Sequence, residues 1–368
     1  MSGLVWVTEP YNNIPFYVPS EQSHVEVIDK NTCIPAELIK EKASKAIYDA
    51  GLLGGSAGFY AEACGLFTTS FGVSDKANAR PFELDTVTRI ASISKPMTAV
   101  AIMQLHENGK LNINDTIDGY LLNAPTEFQP ITIRQLLNHT SGISHYTSSF
   151  DAMSFTHYAT LEDAVTTIYS RGVEHPIGEQ YVYSSFGYTL LGRIIEIVAQ
   201  TSYEQYMREY IWLKSGMNNT SIELSHDLNN KSKPYINIGG FNIKSPRTDL
   251  SIINPAGGIQ STANDILLFG KAILDNTLIN RETLQMMIDI TNEKSTLSGD
   301  DPYGLGWSVY HHPEIGRIIS HSGSQPGVSG LFQILLDKGV SSVALSNAYG
   351  TKNSVRQLTY DFAGLVMD

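Results

Sequence analysis

Cysteine is nearly absent: Cys33 and Cys64 are the only two in 368 residues, and their spacing matches neither a metal-binding pattern nor a disulfide framework. They neither require nor exclude an oxidising compartment. The ten histidines include no H-E-x-x-H arrangement, and the adjacent His311 and His312 would point to opposite faces of a strand, so no metal is expected. No run of 18 apolar residues occurs, which excludes a helix spanning a membrane. Met1 to Pro10 shows no basic region followed by an apolar stretch. Read as it stands, the chain is expected in the cytoplasm, or in the periplasm or outside the cell if a signal peptide has been removed. Basic residues are scarce too, 25 Lys and Arg against 37 Asp and Glu for a net charge of -12, with no basic block. Nucleic acid and anionic membrane are therefore poor partners. Internal repeats and low-complexity segments are also missing.

What is present is enough apolar sequence for a substantial core. Residues 1–32 are polar and interrupted by proline, and are expected to form an extended arm on the surface. Ile39, Ala43, Ala46, Ile47 and Ala50 recur at helical spacing, and Gly51 closes a helix predicted over 35–52. Two segments, Ala57 to Ala61 and Gly65 to Phe71, predict a hairpin. Helical signals dominate from Lys95 to about Met217, in Ile131–Asn138, Leu161–Arg171, Tyr188–Ala199 and Tyr203–Lys214. Strand signals return at Gly306–His311, Arg317–His321, Gly330–Leu336 and Ser341–Leu345, before a closing helix over 352–366. This order predicts one catalytic-sized domain over 33–368. A mixed sheet would be built from both ends (33–93 plus 252–368), with a helical subdomain (94–251) inserted between them. A cleft between the two subdomains is where a site would form.

Ser92-Ile93-Ser94-Lys95 opens the strongly apolar run Met97 to Leu105 and is the only S-x-x-K in the chain. At this spacing a hydroxyl and an amine share one helix face, so the lysine can activate a serine nucleophile without histidine. A buried helix favours the neutral, basic form of Lys95. The plain alternative is that Ser92 caps the helix and Lys95 is a surface charge. About one such pair is expected by chance in a chain of this length.

Two further stretches carry polar groups where packing residues would serve. Tyr181-Val182-Tyr183-Ser184-Ser185-Phe186-Gly187-Tyr188 precedes a helical run, and a phenol here could move a proton if a nearby lysine lowered its pKa. It reads equally as a packed aromatic turn. Ile319-Ser320-His321-Ser322-Gly323-Ser324 places a polar triplet in a strand, with a glycine that would let a substrate backbone approach. It reads equally as a strand end with a solvated histidine.

In this order, Ser92/Lys95, Tyr183/Ser185 and His321/Gly323 resemble the S-x-x-K, Y-x-N or S-x-N, and K-T-G or H-x-G elements of the serine β-lactamase and penicillin-binding-protein superfamily. Pro81 to Lys95 resembles the family's lead-in to the nucleophile. Ile131 to Ile143 resembles a helix-and-turn segment of its class C and esterase branch. Pro255 to Asp265 and Tyr303 to Trp307 resemble later segments, so the likeness covers residues 35–365. It implies an α/β fold of the β-lactamase/transpeptidase type, a mixed, mostly antiparallel sheet flanked by helices.

The same likeness implies roles for single residues. Ser92 would be the nucleophile and Lys95 its proton acceptor, while Tyr183 would shuttle the proton to the leaving group. The backbone N–H groups of Ser92 and Ser324 would form an oxyanion hole, and Ser185, His321, Ser322 and Gly323 would bind substrate. Acylation, departure of an amine or alcohol, and hydrolysis of the acyl-enzyme would follow, without a cofactor.

Two departures narrow the activity. Ser185 stands where asparagine is commonest, and His321 replaces a permanent lysine charge with a switchable one. No E-x-x-L-N segment of the class A type occurs. The branch of D-aminopeptidases, D-Ala-type carboxypeptidases, family VIII esterases and LACTB-like peptidases fits better. The expected activity is a peptidase- or carboxypeptidase-like amide hydrolase acting on a peptide or small molecule. A carboxylesterase or weak β-lactamase is the alternative within the fold, an acyltransferase differs only in how it excludes water, and a non-catalytic scaffold or sensor is the alternative of another class. The oligomeric state is not legible.

Overall fold

A computed structural model describes residues 26–146, 155–223, 230–290 and 302–367. Most of the predicted arm, residues 1–25, lies outside the described residues. Its last part, Glu26–Asp29, is an edge strand (β1) of the main sheet. The main run of that sheet continues through β2 (Gly54–Ala61), β3 (Gly65–Asp75), β4 (Ser308–His312), β5 (Gly316–Gln325), β6 (Val328–Leu335) and β7 (Val340–Ser346), and the two-residue strand Arg80–Pro81 pairs with β3 beside it. Their order is β1-β3-β2-β7-β6-β5-β4, so strands from the two ends of the chain meet at the β2–β7 pairing. All six pairings along this order are antiparallel.

The central strands β6 and β7 are buried along their whole length because helices cover both faces of the sheet. That burial is why they read as apolar runs instead of a clean alternation. On one face, α1 (Ala36–Ala50) and the C-terminal helix, Lys352–Gly364, bring Ile39, Ile47, Val355 and Phe362 against Phe59, Phe67 and Ala344. Gly51, at φ 60, ends α1 in the left-handed turn a glycine adopts freely. On the other face, helix Ala263–Leu274 packs Phe269 near Trp307 and Phe332. This face belongs to a larger core that continues into the helical region.

At the heart of that region lies α2 (Ser94–Glu107), buried from Ser94 to Leu105. A helix apolar on all sides must be enclosed on all sides. Around it stand α3 (Ile133–Leu137), α4 (Leu161–Tyr169) and α5 (Ser185–Ala199). The Tyr203–Lys214 segment is helical as predicted, with a π-helical stretch at Met207–Trp212. Short strands within the 94–251 block were not predicted: Ser221–Ile222 pairs with Ile259–Ser261, and Tyr235–Ile238 forms a hairpin with Phe241–Lys244. At two to four residues they are too short to show a period.

Cys33 and Cys64 are joined by a disulfide, a pairing that their spacing left open. The hairpin turn between β2 and β3 carries Cys64 to the segment leaving β1, an encounter that exists only in the folded chain. The bridge closes a separation of 31 residues, for which loop-closure entropy gives about 3–4 kcal/mol. Cys33→Ser should lower the unfolding free energy in denaturant titration by about that amount and leave reactivity at Ser92 unchanged. An unaltered midpoint and slope would show that the bridge contributes no stability.

Candidate active site

The turn ahead of α2 sets the site. Ala91 has φ 49, a left-handed conformation uncommon outside glycine, and starts a single 3₁₀ turn, Ala91–Ile93, that runs straight into α2. Ser94 Oγ donates to the Ala91 carbonyl at 2.7 Å and ties the turn to the helix. Ser92 is left partly exposed between two buried neighbours. Strand β5 crosses directly beside it. A Cβ on Gly323 would lie 2.2 Å from the Ile90 carbonyl oxygen, so glycine is needed here for contact between strand and nucleophile turn. The sequence reading had assigned that glycine to substrate approach.

Lys95 is fully buried, which corrects its plain reading as a surface charge. Its Nζ lies 3.1 Å from Ser92 Oγ, 3.0 Å from Ser185 Oγ and 3.0 Å from the Ala256 carbonyl oxygen. No ion pair to Lys95 occurs among the described residues, and burial alone drives its pKa well below the ordinary lysine value. In the neutral amine, one N–H serves the Ala256 carbonyl, and the other N–H and the lone pair face the hydroxyls of Ser185 and Ser92, so the lone pair is within reach of a proton from Ser92.

Tyr183 precedes α5, whose N-cap is Ser184: the Ser184 side chain accepts from Gly187 N–H at 3.2 Å. Its phenol hydrogen-bonds Ser92, and its ring centroid lies 4.8 Å from Lys95 Nζ. Burial raises its pKa, the reverse of the lowering by lysine that the sequence reading invoked. With Lys95 neutral, no cation stabilises a phenolate. Tyr183 therefore rests as a protonated donor and Lys95 as the unprotonated acceptor, the division that acyl transfer requires. Ser185, placed by sequence among the substrate-binding groups, is turned inward onto Lys95 and is buried.

His321 is buried as well, which corrects its reading as a solvated histidine at a strand end. Its Nδ1 lies 2.8 Å from the Ser322 carbonyl, which can only accept, so Nδ1 carries the proton. The neutral ring's Nε2 then accepts from the Tyr303 hydroxyl at 3.0 Å. Burial lowers its pKa to about 3. Ser322 and Ser324 are exposed. Beyond Ser320, β5 pairs only with β6 among the described residues, which leaves the other edge of His321–Gln325 without a strand partner among them.

Sequence reasoning gave no role to His139, His145, Ala256 or Tyr303, although three of them lie inside segments it singled out by resemblance. Rings of His139 and His145 stand 4.3 and 5.2 Å from that of Tyr183. A cue was present in principle: His139 lies in the Ile131–Ile143 segment that the family resemblance had already singled out.

The beta-lactamase family model matches residues 38–364. Penicillin-binding protein 4* of Bacillus subtilis is 31% identical over 300 residues, 77% of this chain and 65% of that protein. The D-amino acid amidase of Ochrobactrum anthropi superposes with a TM-score of 0.78 at 21% identity, covering 89% of this chain and 99% of that one. The octameric penicillin-binding protein homologue of Pyrococcus abyssi gives 0.75 at 24% identity, over 90% and 78%. These superpositions establish the fold. The chain spans less than two thirds of the length of the curated relatives it matches first.

The buried imidazole has a consequence for stability. Below pH 6.5 the unfolded chain takes up a proton that folded His321 refuses until about pH 3, so stability falls as pH drops through that window. His321→Gln should flatten the decline of thermal midpoint between pH 7 and 4. Parallel curves for the two proteins would show that His321 titrates as a solvent-exposed histidine does.

Proposed function

The chain belongs to the beta-lactamase family of serine hydrolases, and from that premise we propose that it cleaves amide bonds in small or peptide substrates whose flank at the β5 edge is uncharged. The observation that carries this reading is the contact of neutral Lys95 with Ser92 Oγ at 3.1 Å. A neutral amine that deep in protein has no other evident use. Lys95 takes the Ser92 proton as Oγ bonds to the carbonyl carbon, and the N–H groups of Ser92 and Ser324 stabilise the resulting oxyanion. Collapse breaks the C–N bond while Tyr183 gives its proton to the departing nitrogen and regains one from the Lys95 ammonium. Water then attacks the acyl-enzyme, yields its proton through the same pair, and releases the acid and free Ser92.

Substrate preference follows from His321. At the position of the K-T-G lysine this chain holds a neutral, doubly hydrogen-bonded imidazole. No fixed charge from that position meets a substrate carboxylate, which weighs against the carboxypeptidase and β-lactamase variants of the reading. The open edge at His321–Gln325 suits an extended peptide-like backbone lying alongside. A D-amino acid amidase complexed with D-phenylalanine shares this fold, which is in keeping with a small amide substrate. A non-catalytic scaffold would have no need to keep Ser92, Lys95 and Tyr183 in contact. No helix among the described residues is long and apolar enough to cross a membrane. The Cys33–Cys64 bridge favours an oxidising compartment over the cytoplasm.

The test is a panel of D-amino-acid amides, D-Ala-D-Ala peptides, p-nitrophenyl esters and nitrocefin, with Ser92→Ala as control. We expect Ser92-dependent turnover, with kcat/KM for neutral amides above that for carboxylate-bearing peptides and nitrocefin. Faster hydrolysis of the carboxylate-bearing substrates would contradict the proposed preference. Turnover that survives in Ser92→Ala would contradict the mechanism.

A further inference from the structure

We propose that His139 is the positioning residue that holds Tyr183 in place over Ser92. His139 lies in the turn after α3, buried to 1% exposure, with φ 60. From this left-handed position it makes hydrogen bonds to both neighbours of Tyr183. Its carbonyl accepts the Val182 N–H at 2.7 Å, and its Nδ1 accepts the Ser184 N–H at 3.1 Å. Tyr183 is thus pinned at the residue before and the residue after it, by the main chain and the side chain of one histidine. The imidazole also supports the phenol ring directly, its centroid 4.3 Å away at an interplanar angle of 45°.

The same contact reaches the base. Ser184 caps α5, and the next residue, Ser185, takes a hydrogen bond from Lys95. A shift at Ser184 would therefore move both the Tyr183 donor and the partner that orients the Lys95 lone pair. To accept from Ser184, Nδ1 must be unprotonated, and burial keeps the ring neutral. The neutral ring's remaining proton sits on Nε2, which is buried and has no hydrogen-bond partner among the described residues. An unpaired buried donor destabilises the fold, so packing alone would be better served by an apolar ring. What an apolar ring cannot supply is the acceptor for Ser184.

This inference rests on Tyr183 being the proton donor to the leaving group, and the experiment separates the two. Single-turnover acetylation of Ser92 is measured with 4-nitrophenyl acetate and phenyl acetate. The second leaving group needs a proton far more than the first. Tyr183→Phe should raise the ratio of the two rates, and an unchanged ratio there would overturn the role of Tyr183 itself. His139→Phe and His139→Ala both lack the acceptor and should raise the ratio by about tenfold or more, since a positioned proton donor is worth on the order of 100-fold or above. Asn tolerates the left-handed backbone and offers Oδ1 near the place of Nδ1. His139→Asn should therefore stay within about threefold of wild type, a small part of that same effect. Rates are normalised to the fluorophosphonate-titrated fraction, so loss of folded protein does not enter the ratio. A wild-type ratio in His139→Phe and His139→Ala would overturn the proposal. So would a His139→Asn ratio as high as theirs.

Discussion

A lysine amine held out of water, with no carboxylate to pair with among the described residues, is the constraint on which this structure turns. Taking an ammonium into protein without a counter-charge is strongly unfavourable, and the fold meets the problem by accepting the neutral amine. Three oxygen atoms surround Lys95 Nζ at 3.0–3.1 Å. One is a carbonyl that can only accept, which fixes how the amine is turned. The other N–H and the lone pair are then left facing the two hydroxyls, Ser185 and Ser92. The apolar character of α2 is in this sense part of the chemistry, because the same enclosure that buries Met97 to Leu105 removes water from Lys95.

The neighbouring groups follow from the same desolvation. Tyr183 keeps its proton, His321 loses its charge, and His139 stays neutral, each because the enclosure disfavours the ionised form. Under the proposed mechanism, acid and base are thus separated without any formal charge at rest. Access to Ser92 comes from two close approaches, the left-handed Ala91 that lifts the turn and Gly323 that lets β5 lie against it. Both bring backbone, not side chains, to the point where an oxyanion would form.

Much of the fold was legible because its signals are periodic. Helix α1, the β2–β3 hairpin and the strands from β4 to β7 lie where spacing and turn residues place them. The short strands at Ser221–Ile222 and Tyr235–Ile238 were not legible, since two to four residues carry no period, and the partner of Ser221–Ile222 is remote in sequence. The disulfide was missed for a similar reason: two cysteines 31 residues apart give no pattern until β1 pairs with β3. At the site, Ser92, Lys95, Tyr183 and Ser185 converge as their motifs implied. The environment of His321 did not follow from its motif, because its burial depends on Tyr303 and on the fold of the strand edge. Charge state is a property of surroundings, and surroundings are what a motif leaves out.

The most direct test of a neutral Lys95 is the pH dependence of the Ser92 acylation rate in single turnover, compared with Lys95→Ala. A neutral resting amine gives full acylation at pH 7, a decline only on the acid side, and loss of the reaction in Lys95→Ala. A rate that climbs through pH 10 toward a lysine pKa near the ordinary 10.5, or that survives in Lys95→Ala, would contradict it.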